Sequence, residues 1–551
     1  MRRRASGRPK KTVVIVGGNF AGLAALRELQ KWQKSRCDEE NLHIILIDRR
    51  SYSEYTPGIL RLFCEPGYFF HLAQSLPETS DLNGCSLERI QGTVTSIVME
   101  NPTLRDGGMK KVLTYVSTIE YDRRDNVIEE NARTSATTKN LSYDYLILAT
   151  GATYTEPISS ATPKLAGGPT IATTTMFGRY EEWKKAHERL NGANRVLILG
   201  GGAVGVELAA EILDRDKIST TNHQNTPRTT VTIVDAQPTL VPLFPRSVGT
   251  YAEDWLSQRG ADLRLGESLR SWNDRSCTLE DGTVLHADVV YVCFGNRPNS
   301  EMVAVPLWEA EGTNTGSAFE SDKSCLFSMT RRRNVVVKDT LQLIFNNSKD
   351  DDDVGFSDTP WFACGDVASP PSNDEKQAFQ AEMQGKLSAR NVIKMLESSS
   401  LEKQNENIPS LLRYPIDIAR ADRIPLVFVL SLGRYDGVLG FNSLCLSGPL
   451  AAIVKWILED TKVSQMRGHL LGNLIWKIGD AVTLFLSRTL LRSPSTSTSR
   501  IKGARTHSRP VVSPHNSAAV SRTTTVSSSL PSQTIAPHHR QQQLEEQLKL
   551  S

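Results

Sequence analysis

Two stretches of this sequence share one pattern that few backbones satisfy: an aliphatic run, a cluster of glycines, then a helix-forming segment. They are Val13-Val14-Ile15-Val16-Gly17-Gly18-Asn19-Phe20-Ala21-Gly22 and Val196-Leu197-Ile198-Leu199-Gly200-Gly201-Gly202-Ala203-Val204-Gly205. A continuous β-branched and aliphatic run forms a strand buried on both faces. The glycines allow a tight turn and close backbone approach, and the next helix aims its N-terminal amides over that turn. A pyrophosphate suits such a position.

Each copy continues alike. After the first, Leu23, Leu26 and Leu29 at helical steps lead to a second aliphatic run, Ile44-Ile45-Leu46-Ile47, closed by Asp48. After the second, Val206, Leu208 and Ile212 lead to Val231-Thr232-Ile233-Val234 and Asp235. An acid at that distance suits the hydroxyl pair of a ribose. One glycine-rich turn after a buried strand is common in α/β proteins; strand, glycines and distal acid recurring together favour two dinucleotide sites over two ordinary βα units. The predicted fold is α/β, with two nested Rossmann-like domains for FAD and NAD(P)H and a C-terminal α+β module. The first motif carries Asn19 where a glycine is usual. Asparagine tolerates unusual backbone angles, so the turn survives, with the side chain either crowding a pyrophosphate or hydrogen-bonding to it.

Bulk properties narrow the class further. A chain of 551 residues accommodates several domains. A net charge of +3 from abundant charges of both signs gives no reason to expect nucleic-acid binding. The eight cysteines are scattered without a CxxC or CxxxxC pair. That spacing favours a reducing compartment and argues against a disulfide reductase, since no dithiol lies beside the first glycine cradle. No metal site is expected; the adjacent Asp350 to Asp353 read as a solvated loop whose neighbouring carboxylates point apart. No run of about 20 apolar residues predicts a membrane-crossing helix.

The sequence divides into a basic tail (1–11), the first part of the FAD domain (12–155), an inserted NAD(P)H domain (156–297), the second part of the FAD domain with polar inserts (298–410), a C-terminal module (411–492) and a disordered tail rich in Ser, Thr, Pro, His and Gln (493–551). Insertion follows from two matching exit strands, one ending at Thr150-Gly151 and one at Gly295, the second followed by Arg297-Pro298-Asn299. Residues 100–140 read as an extended or irregular meander, too charged for a core strand throughout. In the C-terminal module, Leu470, Leu474, Ile478, Ala481 and Phe485 lie at helical steps beside Leu471, Ile475, Val482 and Leu486. So wide an apolar stripe favours packing on the protein itself. The other reading is a monotopic membrane face flanked by Lys455, Trp456, Arg467, Trp476, Lys477, Arg488 and Arg492. The expected location is cytoplasmic, with a peripheral membrane position and the mitochondrion left open; the basic N-terminus reads as a solvated tail, a lipid contact or a short import signal.

With both cradles, the Ala149-Thr150-Gly151 strand end and the Cys364-Gly365-Asp366 turn in hand, the chain resembles the two-dinucleotide-binding-domain flavoproteins. Within them it is most similar to the apoptosis-inducing-factor-like family that includes ferroptosis suppressor protein, and next to type II NADH dehydrogenases. The specific link is Phe428-Val429-Leu430-Ser431-Leu432-Gly433-Arg434-Tyr435-Asp436-Gly437-Val438, which resembles that family's LSMGRNDGV segment. The resemblance implies that Gly17, Gly18, Asn19 and Gly22 hold FAD, with Asp48 at its adenosine ribose, Arg61 on the cofactor, the backbone of Val94 at adenine and Asp366 at the ribityl chain. The turns at Thr150, Gly151, Gly295 and Gly365 border the cofactors. It also implies that Gly200, Gly202 and Gly205 hold the nicotinamide nucleotide, with Glu207 reaching the carboxamide. Read alone, Arg61 is a surface ion pair, Val94 core, Asp366 a turn former and Glu207 a partner of the helix dipole. Asp235 at a strand end repels a 2′-phosphate and favours NADH over NADPH. The sequence departs from the family at Ala421-Asp422-Arg423-Ile424-Pro425, where relatives carry a lysine in a Lys-Pro-Gly stretch and where Arg420 or Arg423 substitutes for its charge.

The expected activity is hydride transfer from NADH to FAD and electron transfer onward to a quinone. Lys376, Ala378 and Gln384 would line the acceptor side, and Glu207, Lys376 and Gln384 are the candidate catalytic residues. A reductase of a protein electron carrier, or a slowly turning redox-sensing interaction protein, are the alternatives.

Overall fold

The computed structural model describes residues 11–35, 42–82, 85–100, 110–117, 137–155, 158–159, 174–220, 229–303, 327–345, 359–372, 376–401, 410–419, 424–472, 474–476, 478–479 and 481–482. The acid run Asp350 to Asp353, Arg420, Arg423, the side chains of Lys477, Arg488 and Arg492, and both tails lie outside them.

The first aliphatic run becomes the strand Lys11–Val16, whose Val13, Val14 and Ile15 are fully buried. It pairs in parallel with Leu42–Asp48 on one side and Tyr145–Leu148 on the other. Beyond Leu42–Asp48 the sheet continues through Cys85–Glu100 in parallel, then through Lys110–Ser117 and Thr137–Ser142 in antiparallel fashion. These last two strands agree with the extended reading of 100–140 where that segment is described; 101–109 and 118–136 lie outside the described residues. Val112, Leu113 and Tyr115 are buried in the first of them, just after Lys110 and Lys111.

At the other edge of this sheet, Trp361–Ala363 pairs in parallel with Tyr145–Leu148. A strand from late in the chain thus sits beside one from its first third. Between the two in sequence lies a separate four-stranded parallel sheet, ordered Asp262–Leu265, Thr230–Asp235, Arg195–Leu199, Val289–Val292. The outgoing and returning connections pair with each other, Ala152–Thr153 against Arg297–Pro298. Asn299 fastens them: its side-chain amide donates to Thr150 O at 2.8 Å, while the hydroxyls of Thr150 and Thr153 donate to Asn299 O and Oδ1, each at 2.6 Å.

The helix Ala378–Leu401 returns across the helix Phe20–Lys34 at backbone distance. A Cβ on Gly385 would stand 2.1 Å from Ala21 O, so only glycine permits this crossing. The C-terminal module is a three-stranded antiparallel meander, Val427–Ser431, Gly437–Phe441 and Leu444–Ser447, followed by the helix Pro449–Met466. Helical backbone resumes at 470. Its apolar stripe does not pack on the protein as the sequence favoured: Leu470 is 87% exposed, and Leu471, Leu474, Ile475, Ile478 and Val482 are exposed with it. No described helix is long and apolar enough to cross a membrane.

Candidate functional site

The two glycine turns are built as near copies. Gly17 and Gly200 adopt φ of +110° and +113°, which glycine alone takes without strain. A Cβ on Gly22 would lie 1.8 Å from Gly17 O, and one on Gly205 would lie 1.9 Å from Gly200 O. Each turn is therefore closed on the helix after it, and the fifth residue on must be glycine. The amide of Gly18 donates to Asp48 Oδ2 at 2.6 Å, and that of Gly201 to Asp235 Oδ2 at 2.5 Å. The other carboxylate oxygens accept from Arg50 N at 2.8 Å and Gln237 N at 2.7 Å. Both acids thus brace the glycine turn itself, a role that spacing from a ribose did not reveal.

Asn19 needs none of the unusual angles that seemed to explain it: its φ of −120° and ψ of −152° are ordinary extended backbone. Its Nδ2 donates to Glu54 O at 3.2 Å, and its buried Oδ1 has no partner.

One cavity of about 1300 Å³ gathers Gly17, Gly18, Asn19, Asp48, Val94, Thr150, Gly151, Gly365, Asp366, Lys376 and Ala378 from the first domain. Gly202 and Glu207 come to it from the inserted domain, and Phe428, Lys455, Lys462 and Trp476 from the C-terminal module. The partnerless Asn19 Oδ1 and the open space beside Gly202, where a Cβ would meet nothing within 4 Å, fit a long dinucleotide laid along both turns. Gly22, Gly200 and Gly205 shape the turns without lining the cavity, because they press backbone on backbone.

Four expectations need correcting. Arg61 turns away from the cavity; its Nε lies 3.8 Å from Glu211 Oε1 and its guanidinium covers the ring of Tyr68 at 5.1 Å. Gln384 stands behind the wall, where its buried Oε1 accepts from Gly365 N at 2.8 Å. Gly295, with φ of +77°, is exposed beside the cavity rather than in it. Lys455, read as part of a membrane face, points inward.

Its Nζ lies 3.0 Å from Glu207 Oε1, which also accepts from Ser431 N at 2.7 Å. The glutamate of the second glycine motif is therefore held by the segment that carries the family resemblance. Near the first-domain end, burial pushes the Asp366 carboxyl above its ordinary range, opposed by the ammonium of Lys376, which donates to Ala368 O. Cys293 and Cys364 also line the cavity, but burial pushes each thiol up to about 12, so neither is a thiolate at neutral pH.

The sequence missed Glu382, Lys462 and Asn299. Each acts through a partner distant in the chain, and the only local signal was the Arg297-Pro298-Asn299 turn.

Comparison with known proteins agrees with this construction. The model of the pyridine nucleotide-disulphide oxidoreductase family matches residues 11–343. Ferroptosis suppressor protein 1 of Xenopus tropicalis is 25% identical over 441 residues, covering 78% of this chain and 88% of that protein. Among solved structures, NDH2 from Plasmodium falciparum in complex with NADH superposes with a TM-score of 0.54 at 12% identity, covering 88% of this chain and 99% of its own. The sulfide:quinone oxidoreductase of Aquifex aeolicus gives 0.54 at 18% identity, covering 87% and 95%. At these identities the structural likeness speaks for the fold.

Proposed function

The chain belongs to the pyridine nucleotide-disulphide oxidoreductase family and is an FAD-dependent NAD(P)H oxidoreductase; from that premise we propose that it oxidises NADH and delivers the electrons to a quinone at a membrane surface. One observation carries this reading. A single helix, Pro449–Met466, turns Lys455, Leu458 and Lys462 into the cavity and carries Leu450, Ile453, Trp456 and Ile457 exposed on its outer face. An apolar acceptor leaving a lipid phase would meet that face first and the cavity next.

Bound flavin supplies the two-electron relay between nucleotide and acceptor. The residues contribute orientation and charge. The Gly17 turn and its helix hold the pyrophosphate, Asp48 and the backbone of Val94 the adenosine end, Thr150 and Gly151 the floor, and Gly365 and Asp366 the ribityl end. The Gly200 to Gly205 turn holds the nucleotide, and Glu207, steadied by Lys455 and Ser431, orients its carboxamide. Asp235 excludes a 2′-phosphate by repulsion. Lys376 and Ala378 border the acceptor side.

Purified protein loaded with flavin should oxidise NADH faster than NADPH, with decylubiquinone as acceptor, and should co-sediment with phospholipid vesicles. Slow turnover with every quinone and a long-lived charge-transfer band would favour the redox-sensing alternative.

A further inference from the structure

On the acceptor side of the cavity stands a charge pair that the scheme above does not use. Lys462 Nζ lies 2.5 Å from Glu382 Oε1, and the two side chains are only 6% and 7% exposed. Both residues line the cavity. Glu382 Oε1 makes no aligned hydrogen bond, so charge and proximity hold the pair. Lys462 also donates to Gln465 Oε1 at 2.7 Å and sits 4.5 Å from the ring centroid of Trp476. Two further cavity-lining groups, Trp476 Nε1 and Gln377 Oε1, are buried without a hydrogen-bond partner. A buried ion pair is poor value for stability, because apolar residues of the same volume would serve as well. Set in a cavity wall beside a spare donor and a spare acceptor, it points to chemistry.

We propose that Lys462 is the proton donor to the acceptor, with Glu382 and Trp476 as its positioning residues, in a subsite that takes the ring of a quinone. The inference rests on the quinone reading above. Reduction of a quinone to a quinol forms two O–H bonds and consumes two electrons and two protons. A hydride from NADH brings both electrons and one hydrogen, so one more proton enters from water. The N–H bond of the Lys462 ammonium breaks as the quinol O–H forms, and the neutral amine regains a proton from solvent. Trp476 Nε1 would donate to a quinone carbonyl, and Gln377 Oε1 would accept from the quinol hydroxyl. Burial pulls the Lys462 ammonium below its ordinary value, with the cations Arg27 and Lys386 acting in the same direction and Glu382 opposing them, which eases release of the proton.

The test compares two acceptors on the flavin-loaded full chain. Ferricyanide takes single electrons and no proton; decylubiquinone takes both. Lys462→Met should slow NADH-driven quinone reduction about 100-fold and leave ferricyanide reduction within about twofold of wild type. Equal loss with both acceptors, or loss with neither, overturns the proposal. Should Lys462→Met fail to retain flavin, Glu382→Gln decides: without the carboxylate, the alkaline limb of the quinone pH profile should move to lower pH. A limb that stays in place overturns the proposal. Binding of decylubiquinone, followed by tryptophan-fluorescence quenching, should be weakened by Trp476→Leu, and unchanged binding overturns the subsite. A wild-type protein that reduces ferricyanide and no quinone overturns the acceptor reading itself, and this inference with it.

Discussion

Glu207 and Lys455, 248 positions apart in the chain, meet at 3.0 Å on the wall between the inserted domain and the C-terminal module. The pair is mostly buried, with side-chain exposures of 14% and 17%. Any change at Glu207 is therefore felt by the helix Pro449–Met466. Glu207→Ala should leave flavin content unchanged and slow flavin reduction by NADH on the order of 100-fold through lost orientation. Anaerobic stopped-flow absorbance measures this directly, and an unaltered rate would remove Glu207 from the nucleotide site.

The paired glycine turns separate the two cofactors. Gly22→Ala forces a Cβ into Gly17 O and should yield protein that binds little flavin. Gly205→Ala makes the same collision at Gly200 O, at a cost of about 1–3 kcal/mol of overpacking. It should retain flavin while raising the KM for NADH. Flavin absorbance and steady-state kinetics distinguish them.

Arg61 offers a test of position. Because its guanidinium faces Glu211 and Tyr68, Arg61→Met should leave flavin retention intact yet destabilise the fold by about 3 kcal/mol, through the carboxylate left buried without its cation. Denaturant unfolding beside a flavin spectrum reads both. Loss of flavin without loss of stability would return Arg61 to the cofactor.

Asp366 predicts a pH dependence. Burial raises its folded-state pKa, so its contribution to stability is favourable below the ordinary carboxylate range and is lost as pH rises through the raised value. The flavin-free Asp366→Asn protein should melt higher than wild type at neutral pH and equally near pH 3, while binding flavin more weakly. Thermal unfolding at both pH values, with flavin titration, checks the sign.

The exposed helix face should carry membrane contact. Ile453→Ser with Trp456→Ser removes two exposed apolar side chains, and at about 1.5 kcal/mol each vesicle partitioning should fall on the order of 100-fold. Ferricyanide reduction should not change. Vesicle co-sedimentation beside that assay is sufficient.

Some of this was fixed by residues close together in sequence. The glycines at 17, 22, 200 and 205, the aliphatic strands and the distal acids announce two dinucleotide turns, because backbone sterics and strand burial act over a few residues. The nested order was legible from the matching exit strands. What local pattern could not say was which side of an element faces which partner. Arg61 became the partner of Glu211, Gln384 the support of Gly365, Lys455 the inward clamp on Glu207, and the stripe at 470–482 an open surface. Each outcome depends on two segments far apart meeting at a few ångströms, and charge pairing and burial across such distances exist only once the chain has closed on itself.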